Sequence, residues 1–359
     1  MKRRLVLALV LPMVALTYVA AQQESNMLKA ASFTQATLPA PNSTTAYHPF
    51  WSLGRGFWKG DNLIFLDPRV PRVDLYDKDS IHKSVKVKFP DNADVRLYDA
   101  IVTADGHLIV TGWYKPDVGP LHSFIGMPDI EGHVSPIIDT GNFGPKTIST
   151  CDNGATVWAF GRSRDSWNPQ TRVHDAYDAL RQFSFSDGKM ATSLLSTSAL
   201  SMGPDAAGAN PPDQIMQCHD KTLGIYVGLS DQWIEYDTYA NKLTRWQLPK
   251  RFHHWAEQDS QGKLLPDPVV LKFVTGFVML DSGVVYASFD DHDNSSGKSV
   301  LGLYRLEKNG DQGTWIPVAG TEGNYTQKGT FHQLEGTDGK NLVYSRFGEQ
   351  CWYFSSAPQ

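Results

Sequence analysis

One arrangement of hydrophobic and polar positions returns along the chain. A short apolar run ends at a polar turn rich in Asp, Asn and Gly, and a stronger run of β-branched and aromatic residues follows. The turn and second run read "KGDNLIFLD" at 59–67, "TADGHLIVTG" at 103–112 and "CDNGATVWAFG" at 151–161. They recur as "CHDKTLGIYVG" at 218–228, "LDSGVVYASF" at 280–289 and "TDGKNLVYSRF" at 337–347. Alternation with turn residues between the runs predicts β-strands joined as hairpins. A third run with alternating aromatics follows each hairpin ("RVDLYD", "HSFIGM", "LRQFSF", "QWIEYD", "LGLYRL", "CWYFSS"). All but the last lead through a polar turn to a fourth run, such as "SVKVKF" or "KLTRWQL". Long amphipathic windows with helix caps are not evident, so the chain reads as all-β.

The turn aspartates Asp61, Asp105, Asp152, Asp220, Asp281 and Asp338 stand 44 to 68 residues apart. The unit is constant while its loops vary. Four antiparallel strands per unit at this period are the signature of a β-propeller blade. Six units are visible, and the sixth ends after its third strand. Residues 31–39, "ASFTQATLP", look like a fourth strand and end in proline, as "KVKFP" and "RWQLP" do. The expectation is a six-bladed β-propeller closed by this N-terminal strand, which removes an open sheet edge. Seven blades, a β-sandwich or two β domains are the alternatives.

This grammar resembles that of secreted six-bladed propellers, the broad group of NHL and YWTD repeat proteins and gluconolactonase-like enzymes. Thr150-Cys-Asp152-Asn-Gly154-Ala-Thr156-Val-Trp158 is similar to the Asp-box of sialidase propellers, a structural turn, with the aromatic one residue late. The resemblance implies a fold over most of the mature chain. Through the gluconolactonase-like enzymes it also implies metal-assisted hydrolysis at a channel mouth. It carries over no catalytic residue.

The first 21 residues break the pattern. A basic start, an apolar stretch from Leu5 to about Leu16 and the small residues of Val19-Ala20-Ala21 describe a cleaved signal peptide. The expected organisation is a signal peptide at 1–21 and one propeller domain at 22–359. The protein is then secreted or periplasmic, with no membrane span after signal removal. A formal net charge of −5 without a basic block argues against nucleic acid. Three cysteines are too few for a disulfide scaffold. Cys151 and Cys218 fall at similar places in adjacent units, and buried free thiols are the expected state. Asn42, Asn294 and Asn324 open glycosylation sequons.

Candidate chemistry gathers in the long loops. In a propeller the connections from strand 2 to 3 and from strand 4 to the next strand 1 share a face, and here those are the long ones. Functional residues sit disproportionately on loops displayed by a rigid scaffold. "RSRDSW" offers Arg162 and Arg164 for an anion and Trp167 for a sugar face. "RFHHWAEQD" offers His253, His254 and Trp255. "FDDHDNSSGKS", read as a loop, offers Asp290, Asp291 and Asp293. Asp291 and Asp293 are candidate Ca2+ ligands, although Gly and Glu are not where a calcium loop needs them. Tyr98, Asp99, Lys146, Asp213, Lys272 and His332 would face the axis. The reading is a propeller binding an extracytoplasmic protein, peptide or glycan. The alternative is a metal-assisted hydrolase or lactonase drawing on residues such as Asp99, Asn142, Asp213 and Asp291.

Overall fold

The computed structural model describes residues 28–29, 33–37, 55–59, 62–67, 70–76, 81–90, 93–170, 173–200, 214–227, 232–248, 270–293, 298–319, 321, 323–324, 332–346 and 351–357. The proposed signal peptide, Asn42, Asp213, His253, His254, Trp255 and Asn294 lie outside them.

The fold is all-β, and the strands form successive antiparallel groups. Group I is Arg55–Lys59, Asn62–Asp67, Arg72–Tyr76 and Ile81–Lys86. Group II is Asp94–Val102, Leu108–Lys115, His122–Pro128 and Val134–Asp139. Group III is Phe143–Ser149, Thr156–Ser163, Asp178–Ser184 and Met190–Ser196. Group IV is Gln214–His219, Thr222–Val227, Gln232–Asp237 and Lys242–Gln247. Group V is Val270–Met279, Val285–Asp293, Lys298–Asn309 and Gln312–Ala319. Group VI is His332–Thr337, Asn341–Arg346 and Cys351–Ser356, with Phe33–Thr37 as its fourth strand. That last strand occupies the middle of the expected 31–39 segment and pairs Phe33 with Ser355 and Thr37 with Cys351. Among the described residues no helix is long and apolar enough to cross a membrane.

The alternating strands bury both faces because each group is packed between neighbours. Ile64 and Leu75 of group I share a cluster with Leu97 and Phe124 of group II. Ile109 and Ile125 meet Phe143 and Val157 of group III, and Phe160 and Leu180 meet Ile225 and Ile234 of group IV. Trp233 and Trp246 meet Phe277 and Trp315 of group V, and Val278 and Tyr286 meet Leu334 and Leu342 of group VI. Groups VI and I then join through their first strands, Gly336 pairing with Trp58 and Thr337 with Lys59 in parallel. The hydrophobic core is therefore a series of layers between consecutive groups.

First strands of neighbouring groups lie close. A Cβ added to Gly276 would stand 2.0 Å from the Leu334 carbonyl oxygen, so only glycine permits that approach. The pairing of the first strand slips by one residue at Tyr98, at Lys146, between Val274 and Gly276 and between Leu334 and Gly336. Such bulges turn side chains out of the regular alternation. Lys146 stands 3.5 Å from the centre of the Tyr98 ring, so two residues expected near the axis meet across groups II and III.

Three expectations are corrected. Asp290, Asp291 and Asp293 are not in a loop: they end the strand Val285–Asp293, paired with Val270–Phe273 on one side and Lys298–Leu301 on the other. Both flanking strands are long enough to extend the sheet through the acidic run. Cys151 and Cys218 are not free thiols but a disulfide, with Cα atoms 5.4 Å apart. Similar places in adjacent groups become neighbouring places once the groups pack. Asp99 is not an open ligand. It is buried, and its carboxylate accepts the Ala100 N–H, the Thr147 hydroxyl and the Ile148 N–H at 2.8–2.9 Å.

Candidate functional site

The repeated turns are built by their own polar side chains. Asp152 accepts hydrogen bonds from the Thr156 N–H at 2.9 Å, the Thr156 hydroxyl at 2.6 Å and the Thr150 hydroxyl at 3.0 Å. Asp338 accepts the N–H groups of Lys340 and Asn341 and the Asn341 side-chain amide. Left-handed residues close the hairpins, among them Asn153 and Gly154 (φ +56° and +91°) and Asp220 (φ +51°). Asn and Asp tolerate that region because a short polar side chain bonds locally.

Turns of neighbouring groups are also tied to one another. The Asn153 side-chain oxygen takes the Ala104 N–H at 2.7 Å, joining groups II and III. The Cys151–Cys218 disulfide joins III and IV. His219 Nδ1 lies 3.1 Å from Asp281 Oδ1, joining IV and V. The Asp281 N–H donates to the Gly339 carbonyl at 2.7 Å, joining V and VI. Behind this rim the Gln217 amide bridges IV and V, its oxygen taking the Met279 N–H at 2.6 Å.

A cavity of about 650 Å³ opens inside the rim. Its walls come from Thr103 and Ala104, Ser149 and Thr150, Cys218 and His219, Met279 and Asp281, and Thr337 and Asp338, one pair from each of groups II to VI. Asn62, Leu75 and Lys83 supply the wall from group I. Leu75, Ile101, Met216 and Met279 give it apolar surface, while Lys83, His219, Asp281 and Asp338 give it charge and hydrogen-bonding capacity. Such a concave, mixed lining with a few convergent polar groups is what small ligands occupy. Thioether side chains adapt their shape to an occupant.

Those long-loop candidates that fall among the described residues lie elsewhere. Arg162 lies at the end of the second strand of group III, and Arg164 and Trp167 follow it, at the end of the sheet opposite the cavity. Arg164 is occupied by group II: its guanidinium donates to the Leu121 carbonyl at 3.2 Å and to the Ser123 hydroxyl, and its N–H donates to the Asn142 carbonyl at 2.7 Å. The Asn142 amide in turn donates to Asp165 at 2.5 Å. Trp167 is half exposed and opens a small hairpin, Trp167–Asn168 with Val173–His174. Burial holds the neighbouring Tyr177 phenol above 10.0, opposed by the charges of Arg162 and Arg181. Asp290, Asp291 and Asp293 end the second strand of group V, the same phase of their group as Arg162 and Arg164. Among the residues whose side chains the structure describes, which do not include Asp290, Asp291 and Asp293, no group of three or more His, Cys, Asp or Glu could hold a metal ion.

Sequence reasoning passed over the cavity because its walls are short turns rather than long loops. A signal was nevertheless present. One polar turn per unit, always at the same phase, brings these turns side by side once the units pack against one another.

No family model matches the chain, and no curated protein does. Among solved structures it is similar to an exported protein of Bacteroides fragilis, at 10% identity over 92% of this chain and 96% of that one, with a TM-score of 0.49. A periplasmic gluconolactonase of Pseudomonas aeruginosa matches at 11% identity over 85% and 82% of the two chains, with a TM-score of 0.41. A TolB-type protein of Agrobacterium tumefaciens matches at 10% identity over 85% and 91%, with a TM-score of 0.42. Likeness at this level carries no argument, and the architecture rests on the chain's own strand pairing and packing.

Proposed function

We propose that the chain is an exported six-bladed β-propeller, groups I to VI being its blades and Phe33–Thr37 the strand that closes the ring. Its function is binding: a peptide or glycan portion of an extracytoplasmic partner enters the cavity at the end where the first turns meet. The observation that carries this reading is the cavity wall, to which every group contributes. Six separate pieces of backbone held by one another make a preorganised site, and preorganisation lowers the cost of binding. The volume suits a side chain or a sugar unit better than a flat protein surface. The metal-assisted hydrolase reading is weakened because Asp99 is spent on donors of groups II and III.

A glycan array and a displayed random-peptide library, probed with the mature protein from Gln22, test the proposal. We expect a consensus ligand whose binding drops at least about tenfold in Met279→Trp, which fills the cavity, and stays within about twofold in Trp167→Ala. The reverse pattern would return the site to the long-loop face. Elemental analysis of the same preparation addresses the alternative, since a stoichiometric divalent metal would favour hydrolysis.

A further inference from the structure

We propose that the Cys151–Cys218 disulfide is a thiol-exchange site entered from the cavity, with Cys218 as the sulfur attacked and a small thiol as the reactant. Two independent observations meet here. The bond is a cross-link between groups III and IV, made by residues 67 apart in sequence. Of its two cysteines, Cys218 belongs to the cavity wall, beside Gln217 and His219, whereas Cys151 does not line it. Both cysteines are only partly buried and pack against the III–IV cluster. Most structural disulfides are sealed in a core, where a thiolate cannot reach them, and exchange depends on access as well as on the attacking thiol. A molecule that fits the cavity meets Cys218 first.

The step balances as follows. An incoming thiolate attacks Cys218 Sγ, the bond between the two cysteine sulfurs breaks, and Cys151 leaves as a thiolate that takes up a proton from water. The product is a mixed disulfide on Cys218. A second thiol attacks the sulfur of the first, releasing Cys218 as a thiolate and forming the small-molecule disulfide, so two thiols are oxidised and the protein bond is reduced. Loss of the cross-link removes one of the ties of the cavity rim, the one between groups III and IV. The site thus couples the redox state of the surrounding medium to the stiffness of one cavity wall, whether or not the cavity takes a peptide or glycan.

The test uses the native full-length mature protein without denaturant. It is incubated with reduced glutathione, quenched with N-ethylmaleimide and mapped by peptide mass spectrometry. We expect glutathione on Cys218 and maleimide on Cys151. The opposite assignment overturns the direction of attack, and adducts that form only in urea overturn the site. A size series tests the route: a polymer-linked thiol should react at least about tenfold more slowly than 2-mercaptoethanol, after each rate is scaled to an open model disulfide. Equal scaled rates would place the bond on open surface and overturn entry through the cavity. Hydrogen exchange on the reduced, alkylated protein provides the structural readout. Faster exchange confined to 148–154 and 216–222 is expected, and unchanged exchange there would show that the bond does not stiffen the wall.

Discussion

Asp99 shows how a single residue can carry the wrong chemistry in sequence and the right one in the fold. A carboxylate on an inner strand looks like a channel ligand when only residue type and strand phase are known. The bulge at Tyr98 alters that phase, and the carboxylate is buried against the first strand of the next group, accepting from Thr147 and Ile148. Truncating it removes the carboxylate that the Ala100 N–H, the Thr147 hydroxyl and the Ile148 N–H donate to. Each buried polar group that loses an acceptor costs on the order of 1–3 kcal/mol. Asp99→Ala should therefore lower the unfolding free energy by about 3 kcal/mol in urea titration, with no change in slope. Thr147→Val alone should cost about 1 kcal/mol, and the pair should be strongly non-additive. A loss below about 1 kcal/mol for Asp99→Ala would mean that water replaces the carboxylate and that the II–III contact does not depend on it.

At the scale of elements, much of the chain was legible. All six first-to-second hairpins and the aromatic third strands fall where alternation and turn chemistry place them, because both are local signals. Strand length was not. The acidic run 290–293 reads as loop by composition, and only the reach of its two long neighbours draws it into the sheet. The disulfide and the cavity were illegible for a related reason: each depends on which groups are adjacent, a property of how the groups pack rather than of any segment. The turns themselves make a sharper claim. Gly154 has φ +91°, and a Cβ there would lie 2.9 Å from Thr103 Cγ2 and 3.2 Å from Ile109 Cδ1 of the preceding group. Gly154→Ala combines a left-handed backbone with a clash between groups and should cost about 2 kcal/mol. Gly106→Ala is the control: it shares the positive φ, but nothing lies within 4 Å. Thermal melts of the two separate conformational strain from inter-group crowding. Equal losses would mean that the III-to-II contact at Gly154 contributes nothing.

The whole molecule depends on how its two ends meet. The strand Cys351–Ser356 has one partner inside group VI, Asn341–Arg346, and its other edge is covered by Phe33–Thr37. Just before that strand, Leu28 and Lys29 pair in parallel with Val318 and Ala319 at the outer edge of group V. The N-terminal segment therefore spans two adjacent groups, and its removal uncovers backbone in both. A bare strand edge presents a row of unsatisfied donors and acceptors, a template for pairing with another chain. A chain beginning at Asn42 should thus melt at a lower temperature than one beginning at Gln22, and light scattering should show it self-associating. A peptide of residues 22–41 supplied in trans should reverse both effects, since adding a strand to an exposed edge is a recognised mode of peptide binding. Rescue should fail with Gln35→Pro in the peptide, because proline cannot donate to the ladder and Gln35 pairs opposite Tyr353. If the truncated chain instead melts like the longer one and stays monomeric, the pairing of Phe33–Thr37 with Cys351–Ser356 does not stabilise the fold in solution.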